Sequence, residues 1–115
     1  MTTSRAHAKD RGTLAIVAGS GVLPRLLAET PLGICVLDGE DFAHPALLEL
    51  LKAHPQMSFL VMVAMPDPQQ GIQFLQAGAR GYANRQINPP LLHAAVDTVR
   101  AGEVWAGADT ITYLL

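Results

Sequence analysis

Residues 75–90 constrain the fold of this chain more than any other segment. Their first half is LQAGARGY, the pattern of a helix end followed by a tight glycine turn and a short buried strand. Asn88 then precedes two prolines, which favours a new helix, because Asn is a common N-cap and proline is tolerated in the first helical turn. A helix, a strand and a helix in this order predict an α/β unit with parallel strands.

The same alternation extends towards the N-terminus. Short apolar runs predict buried strands at residues 13–18, 34–37 and 58–64, with a fourth strand at residues 82–86. Pro45 and Asp67-Pro68 begin the helices between them, with Asp67 as an N-cap. The last helix carries an apolar face from Leu91 to Val99. Strands that alternate with helices predict a parallel sheet with helices on both faces.

Composition narrows the class of protein. A chain of 115 residues fits one domain, and its net charge of -2 gives no general attraction to nucleic acid or anionic membranes. The longest apolar run, residues 57–65, is too short to cross a bilayer, and residues 1–11 lack the apolar core of a secretion signal. These features predict a cytoplasmic protein. The single cysteine, Cys35, excludes an internal disulfide and lies in an apolar run, which predicts an inert buried thiol.

The order of these features resembles the receiver domain of two-component response regulators. The resemblance covers residues 14–105 and is strongest from Leu48 onward. It implies a flavodoxin-like (CheY-like) α/β fold, a parallel sheet flanked by helices. Too few residues separate Ala18 from Asp38, so we expect a sheet shortened by one strand–helix unit. We predict a flexible arm at residues 1–11, a receiver-like domain at 12–106, and a C-terminal extension or linker at 107–115. Gly102-Glu103-Val104-Trp105 is similar to the helix end of regulators that carry a helix-turn-helix.

The resemblance also implies roles for individual residues. Asp38 takes the phosphoacceptor position, Val63 or Ala64 the position of a hydroxyl residue, Tyr82 the aromatic switch position, and Arg85 the place of a basic residue that is lysine in the family. Neither Val63 nor Ala64 has a hydroxyl group, and the planar fork of Arg85 differs from a compact ammonium. The resemblance therefore implies a degenerate receiver, or pseudo-receiver.

Magnesium binding is not expected. In receivers two adjacent acidic residues at the end of the first strand hold Mg²⁺, and their places here are Ala18 and Gly19. Because Mg²⁺ requires hard oxygen ligands, Asp38 alone is a poor site. The four histidines have no metal-type spacing, so the sequence predicts no metal, no cofactor and no enzymatic activity. Three alternatives stay open for Asp38: it is a spent phosphoacceptor, it is a helix-capping acid at the end of a strand, or it is still phosphorylated.

The function implied is that of a signalling and dimerisation module in a transcriptional response regulator. Its partner would be a second copy of the chain or another regulatory protein, and DNA binding would belong to a domain absent from this chain. A sheet with an exposed edge also favours self-association. We predict a contact face formed by residues of the last strand and last helix: Tyr82, Arg85, Leu91, Leu92, Val96 and Val99.

A second hypothesis rests on Gly19-Ser20-Gly21, which follows the first predicted strand. Glycines at this place let backbone N–H groups approach a phosphate at a helix N-terminus, which predicts a phosphate- or nucleotide-binding α/β domain. The segment from Ala18 to Glu29 also resembles the opening of the UDP-diacylglucosamine pyrophosphatase family. A tight strand-to-helix turn explains the same glycines without any ligand.

Overall fold

The structure is a computed structural model that describes residues 14–17 and 33–107. These residues contain four strands, three α-helices and one 3₁₀ turn. In chain order the elements are β1 (Leu14–Val17), β2 (Gly33–Asp38), the 3₁₀ turn (Gly39–Asp41), α1 (His44–Ala53), β3 (Met57–Val63), α2 (Pro68–Ala77), β4 (Gly81–Asn84) and α3 (Pro89–Arg100).

The four strands form one sheet in the order β1-β2-β3-β4, and every neighbouring pair is parallel. A five-stranded flavodoxin-like sheet has the order 2-1-3-4-5. The described strands correspond to its 1-3-4-5 portion, without the edge strand that would lie beside the first. The predicted α/β fold, shortened by one strand–helix unit, is confirmed.

Alternating side chains of β2 and β3 divide the core into two layers. On one face the strands pack against α1 and α2, through a cluster that includes Cys35, Leu37, Leu47, Leu51, Phe59, Val61, Val63, Phe74 and Tyr82. On the other face they pack against α3, through Ile34, Val36, Leu60, Ala83, Ala95, Val96 and Val99. This division follows from the two-residue period of a strand, which sends successive side chains to opposite faces.

The cysteine lies inside the first of these layers. Cys35 is fully buried, and burial raises the pKa of its thiol to about 12. The thiolate form required for nucleophilic chemistry is therefore disfavoured in the folded protein. The prediction of a buried thiol is confirmed.

The helix starts confirm two predicted N-caps, whereas the boundaries of β2, β3 and β4 differ from the predicted ones by one or two residues. Asp67 Oδ2 accepts a hydrogen bond from the Gln70 N–H, and Asn88 Oδ1 accepts one from the Leu91 N–H. Strand β3 runs from residue 57 to 63 rather than 58 to 64. Strand β4 ends at Asn84 rather than at residue 86, because the Asn84 side chain accepts the Gln86 N–H and turns the chain.

The glycine turn in residues 75–82 has the predicted form. Gly78 caps α2 with φ of 122°, a backbone conformation that side chains rarely adopt. Gly81, at the start of β4, is needed for a different reason. A Cβ placed on it would collide with Leu60 Cδ1 and lie 3.3 Å from Val99 Cγ2, so the absence of a side chain allows β4 to sit between β3 and α3.

Trp105 pairs with the outer edge of β4. The Tyr82 N–H donates to the Trp105 carbonyl oxygen (2.9 Å), and the Trp105 N–H donates to the Arg80 carbonyl oxygen (3.0 Å). The indole side chain packs against the α3 layer, as expected for a residue that covers the core. This edge of the sheet is therefore not open along its whole length. Within residues 33–107, no helix has the length and apolar character needed to span a membrane.

Replacing Gly81 by alanine tests the close approach of β4. We expect Gly81→Ala to lower the free energy of unfolding by about 1–3 kcal/mol, because Leu60 and Val99 must move to admit the methyl group. Urea unfolding followed by fluorescence of the single tryptophan measures the change. Gly107→Ala is the matched control, since an added Cβ there has no atom within 4 Å. Equal stability of the two variants would contradict the packing argument.

Candidate functional site at the carboxyl ends of the strands

The carboxyl ends of β2, β3 and β4 meet at one edge of the sheet. Asp38 is the last residue of β2, Val63 is the last of β3 with Ala64 directly after it, and Arg85 follows the end of β4. In parallel α/β sheets this edge is where ligands and reacting groups usually lie. The structure therefore brings together Asp38, Val63, Ala64 and Arg85, as the resemblance implied.

Both carboxylate oxygens of Asp38 are engaged. Oδ2 lies 2.6 Å from Arg85 Nη2, and Oδ1 accepts a hydrogen bond of 2.9 Å from the Glu40 N–H. The second contact makes Asp38 the N-cap of the 3₁₀ turn, as the capping interpretation predicts. Whether Asp38 is also a residual phosphoacceptor stays a prediction. Side-chain exposure of 21% for Asp38 and 45% for Arg85 limits the ion pair to roughly 1 kcal/mol or less.

Arg85 reaches its partner across the end of β3. Its backbone N–H donates to the Val63 carbonyl oxygen at 2.8 Å, which holds it beside the third strand. Since β3 lies between β4 and β2, the guanidinium group passes over the end of β3 to meet Asp38. The ion pair thus joins the two strands that flank the centre of the site.

Val63 and Ala64, the positions expected to carry a hydroxyl group, make contacts through the core and through a backbone N–H. Val63 points into the core, whereas Ala64 is exposed, and the Ala64 N–H donates a hydrogen bond of 2.8 Å to Glu40 Oε2. Four contacts link these residues in a closed ring, which we call the carboxyl-end ring. They are Asp38–Glu40, Glu40–Ala64, Arg85–Asp38 and the backbone bond from Arg85 to Val63. The sequence carries no signal for the Glu40–Ala64 contact, because Glu40 lies beyond the strand end and the bond joins residues 24 positions apart.

Tyr82 lies in the core beneath this site. Its hydroxyl accepts a hydrogen bond from the Asp67 N–H (2.7 Å) and donates one to Gln70 Oε1 (2.8 Å). Its ring packs at a tilt against Phe74, with centroids 5.8 Å apart. Burial raises the pKa of the Tyr82 phenol above its usual value, so the hydroxyl stays protonated and able to donate. These contacts attach β4 to the start of α2.

Half of the predicted contact face is not at the surface. Tyr82, Val96 and Val99 are buried in the two core layers, and Leu92 is half-buried. The inclusion of Val96 and Val99 was therefore wrong, whereas Tyr82 reaches the surface only at the wall of a groove. The physical reason is that the apolar stripe of α3 is the side that packs on the sheet. Leu91, 47% exposed, and Arg85 remain at the surface. Dimerisation itself stays a prediction.

A surface groove adjoins the exposed part of that face. It has a volume of about 580 Å³ and lies between the start of α2, the loop from β4 to α3, and the segment around Trp105. Pro66, Tyr82, Leu91 and Trp105 contribute to its walls. We call this feature the α3 groove.

Some predictions concern parts of the chain outside the described residues. Ala18 and the Gly19-Ser20-Gly21 segment belong to this group, so the phosphate-loop hypothesis stays a prediction. The predicted domain boundaries also stay predictions. In residues 33–107 no three His, Cys, Asp or Glu side chains lie together in a way that could hold a metal ion.

The architecture is similar to that of two solved structures. One is a two-component response regulator of the LuxR family from Aurantimonas sp. SI85-9A1, with a TM-score of 0.68 and 23% identity over 94% of this chain and 81% of that one. The other is the isolated REC domain of RcsB from Salmonella enterica serovar Typhimurium, in the presence of the phosphomimetic BeF3-, with a TM-score of 0.65 and 16% identity over 84% and 74%.

The chain has the receiver-domain fold. The resemblance drawn from residues 75–90 is therefore confirmed at the level of the fold. No protein-family model matches the chain, and the comparison with curated proteins gives no match. Identities below 25% establish the receiver fold without transferring the roles of individual residues, so those roles rest on the contacts described above.

The Tyr82 contacts lead to a stability prediction. We expect Tyr82→Phe to lower the free energy of unfolding by about 1 kcal/mol, because it removes the acceptor of the Asp67 N–H and the donor to Gln70. A double-mutant cycle with Gln70→Ala, measured by urea unfolding, should give a coupling energy of about 0.5–1 kcal/mol. Strictly additive effects of the two substitutions would show that the side chains do not interact.

Proposed function

We propose that this protein is an atypical receiver domain of a transcriptional response regulator, which signals by association and without magnesium-dependent phosphorylation of Asp38. One observation carries the proposal. The Asp38 carboxylate lies at the carboxyl edge of a receiver-fold sheet, yet both of its oxygens are engaged by other parts of the chain, Arg85 and the Glu40 N–H.

The donor set near Asp38 does not fit magnesium. Mg²⁺ requires near-octahedral coordination by oxygen atoms, usually from carboxylates, water and phosphate. Asp38 is paired with a guanidinium group, and Glu40 accepts a hydrogen bond from Ala64. The places where receivers carry their acidic pair are Ala18 and Gly19 in this sequence, and neither side chain offers an oxygen atom.

The groups that would assist a phosphoryl transfer are also changed. Val63 and Ala64 offer no hydroxyl, and the side chain of Val63 is turned into the core. Arg85 supplies positive charge, but its guanidinium group is already paired with the carboxylate that would be phosphorylated. A phosphorylated Asp38 would lose this pair and would have no hydroxyl beside it. These contacts support a receiver that keeps its scaffold and has lost the chemistry.

The direct test is incubation with acetyl phosphate and Mg²⁺ followed by intact-mass analysis. We expect no mass gain corresponding to a phosphoryl group on the wild-type chain, and no ¹⁹F NMR signal of bound fluoroberyllate. Asp38→Asn is the control that removes the acceptor. A mass gain on the wild-type chain that Asp38→Asn abolishes would overturn the proposal and establish the alternative, a receiver still phosphorylated at Asp38.

The proposed output is self-association through the α3 groove. Leu91 is an apolar side chain that remains 47% exposed at the start of α3, where it lines the groove with Pro66 and Trp105. An apolar side chain beside a concave surface is a feature of protein contacts. The half-buried Leu92 follows it. This face keeps Leu91 and Leu92 of the predicted one and leaves out Val96 and Val99, which are buried in the core.

Self-association can be measured by sedimentation or light scattering over a range of concentrations. We expect a concentration-dependent homodimer, and we expect Leu91→Glu to raise its dissociation constant about tenfold or more, because the charge would be buried against an apolar surface. His93→Glu, an exposed position on the same helix, is the matched control. A chain that stays monomeric at every concentration, or equal dissociation constants for both variants, would exclude this interface.

A further inference from the structure

The carboxyl-end ring contains two groups suited to binding an oxyanion. The Ala64 N–H follows the end of β3 and donates to a side chain, and the guanidinium of Arg85 lies over the same strand end. A backbone N–H beside an arginine is a common way to bind phosphate or carboxylate oxygens. In this protein the acceptor for the Ala64 N–H is an acid of the chain itself, the carboxylate of Glu40.

We propose that Glu40 is the internal occupant of an oxyanion site at the carboxyl end of the sheet, and that its carboxylate keeps inorganic phosphate and similar tetrahedral oxyanions from the Ala64 N–H. This goes beyond the proposed function, because it concerns reversible anion binding and not the transfer of a phosphoryl group to Asp38.

The position of Glu40 is set by the turn that carries it. Asp38 Oδ1 accepts the Glu40 N–H and thereby fixes the 3₁₀ turn at its first residue. The first residue of the turn, Gly39, lies so close to β3 that an added Cβ would be 3.1 Å from Val61 Cγ1 and 3.2 Å from Val63 Cγ1. The turn therefore rests directly on β3, and the Glu40 side chain is held over the end of that strand, where it meets Ala64.

Competition favours the internal acid for two reasons. Glu40 is covalently attached beside its donor, so its binding costs no translational entropy, whereas a free anion must bear that cost. Its negative charge, together with that of Asp38, also repels an incoming anion. Because Glu40 is an exposed residue, removing its carboxylate should expose the Ala64 N–H without disturbing the core.

The experiment is a titration with inorganic phosphate at constant ionic strength and without Mg²⁺. It compares the wild-type chain with Glu40→Ala, and the readout is the ¹⁵N–¹H NMR signal of Ala64. We expect the Ala64 signal of Glu40→Ala to shift saturably, with an apparent affinity at least about tenfold higher than that of the wild type, the value of one charge-assisted hydrogen bond. Adding Arg85→Ala to this variant should remove the gain.

Asp41→Ala provides the matched control. Asp41 lies in the same 3₁₀ turn, is exposed, and makes no hydrogen bond or ion pair with the residues that the structure describes. The Asp41→Ala substitution removes one negative charge, as Glu40→Ala does, but leaves the Ala64 N–H bonded to Glu40. Phosphate affinity equal in the Glu40→Ala and Asp41→Ala variants would overturn the proposal, as would an affinity of the wild-type chain at Ala64 equal to that of Glu40→Ala. Neither result bears on whether Asp38 can be phosphorylated, because the titration contains no phosphoryl donor. The acetyl phosphate experiment therefore tests the proposed function separately.

Amide hydrogen exchange supplies a second measurement on the same variants. In the wild-type chain the Ala64 N–H should exchange more slowly than in Glu40→Ala, because its only acceptor among the described residues is Glu40. Added phosphate should restore slow exchange in Glu40→Ala. Exchange that is equally fast in both chains would mean that the Glu40–Ala64 contact does not form in solution, and the proposal would be wrong.

Discussion

The geometry of the site depends on the burial of β2 and β3 on both faces. In a parallel pair whose side chains alternate between two packed layers, a slip of one residue would move every side chain to the wrong layer. The register is therefore fixed, with Asp38 opposite Met62. The same constraint places Val63 opposite Asn84 on β4, and so sets Arg85 one residue beyond the strand. Asp38 and Arg85 meet because the packing of the core fixes where each strand ends.

The contacts at these strand ends bind the chain to itself. Arg85 pairs with Asp38, Glu40 binds Ala64, and Tyr82 is held by the start of α2. Each contact is modest, since the first two are partly or fully exposed to water. Under the proposed function, the first two contacts satisfy the groups with which a phosphoryl group or a metal ion would otherwise interact. A domain whose site is occupied by its own side chains has its surface as the remaining means of communication, which is consistent with the proposed role in association.

The sequence was sufficient for the parts of the structure that depend on local rules. Asp67 and Asn88 cap their helices, and Gly78 adopts the left-handed turn, because these roles follow from the chemistry of single residues. The order of the strand-end residues also followed from the resemblance. Contacts between residues far apart in the chain could not be predicted, and both the Glu40–Ala64 bond and the bond of Tyr82 with Asp67 are of this kind. No periodicity marks a side chain that reaches a backbone N–H on another element.

The predicted contact face failed for a related reason. An apolar stripe on a helix shows which side is buried, but it does not distinguish burial against the helix's own sheet from burial against a partner. Val96 and Val99 lie over the sheet, whereas Leu91, in the first turn of α3, extends past it. The sequence gives all three residues the same apolar character. Only the position of the helix on the sheet separates them.

The edges of the sheet restrict how two copies could meet. Trp105 already uses the Tyr82 N–H and the Arg80 carbonyl, so a second chain cannot add a regular strand beside β4 without displacing it. On the other side of the sheet, no described residue pairs with the outer side of β1. A dimer formed through β1 would have its interface at the edge of the sheet opposite β4. A dimer formed through the α3 groove would instead have Leu91 and the neighbouring β4–α3 loop within its interface. Because that loop begins at Arg85, contact through the groove is the arrangement that would connect association with the ion pair between Arg85 and Asp38.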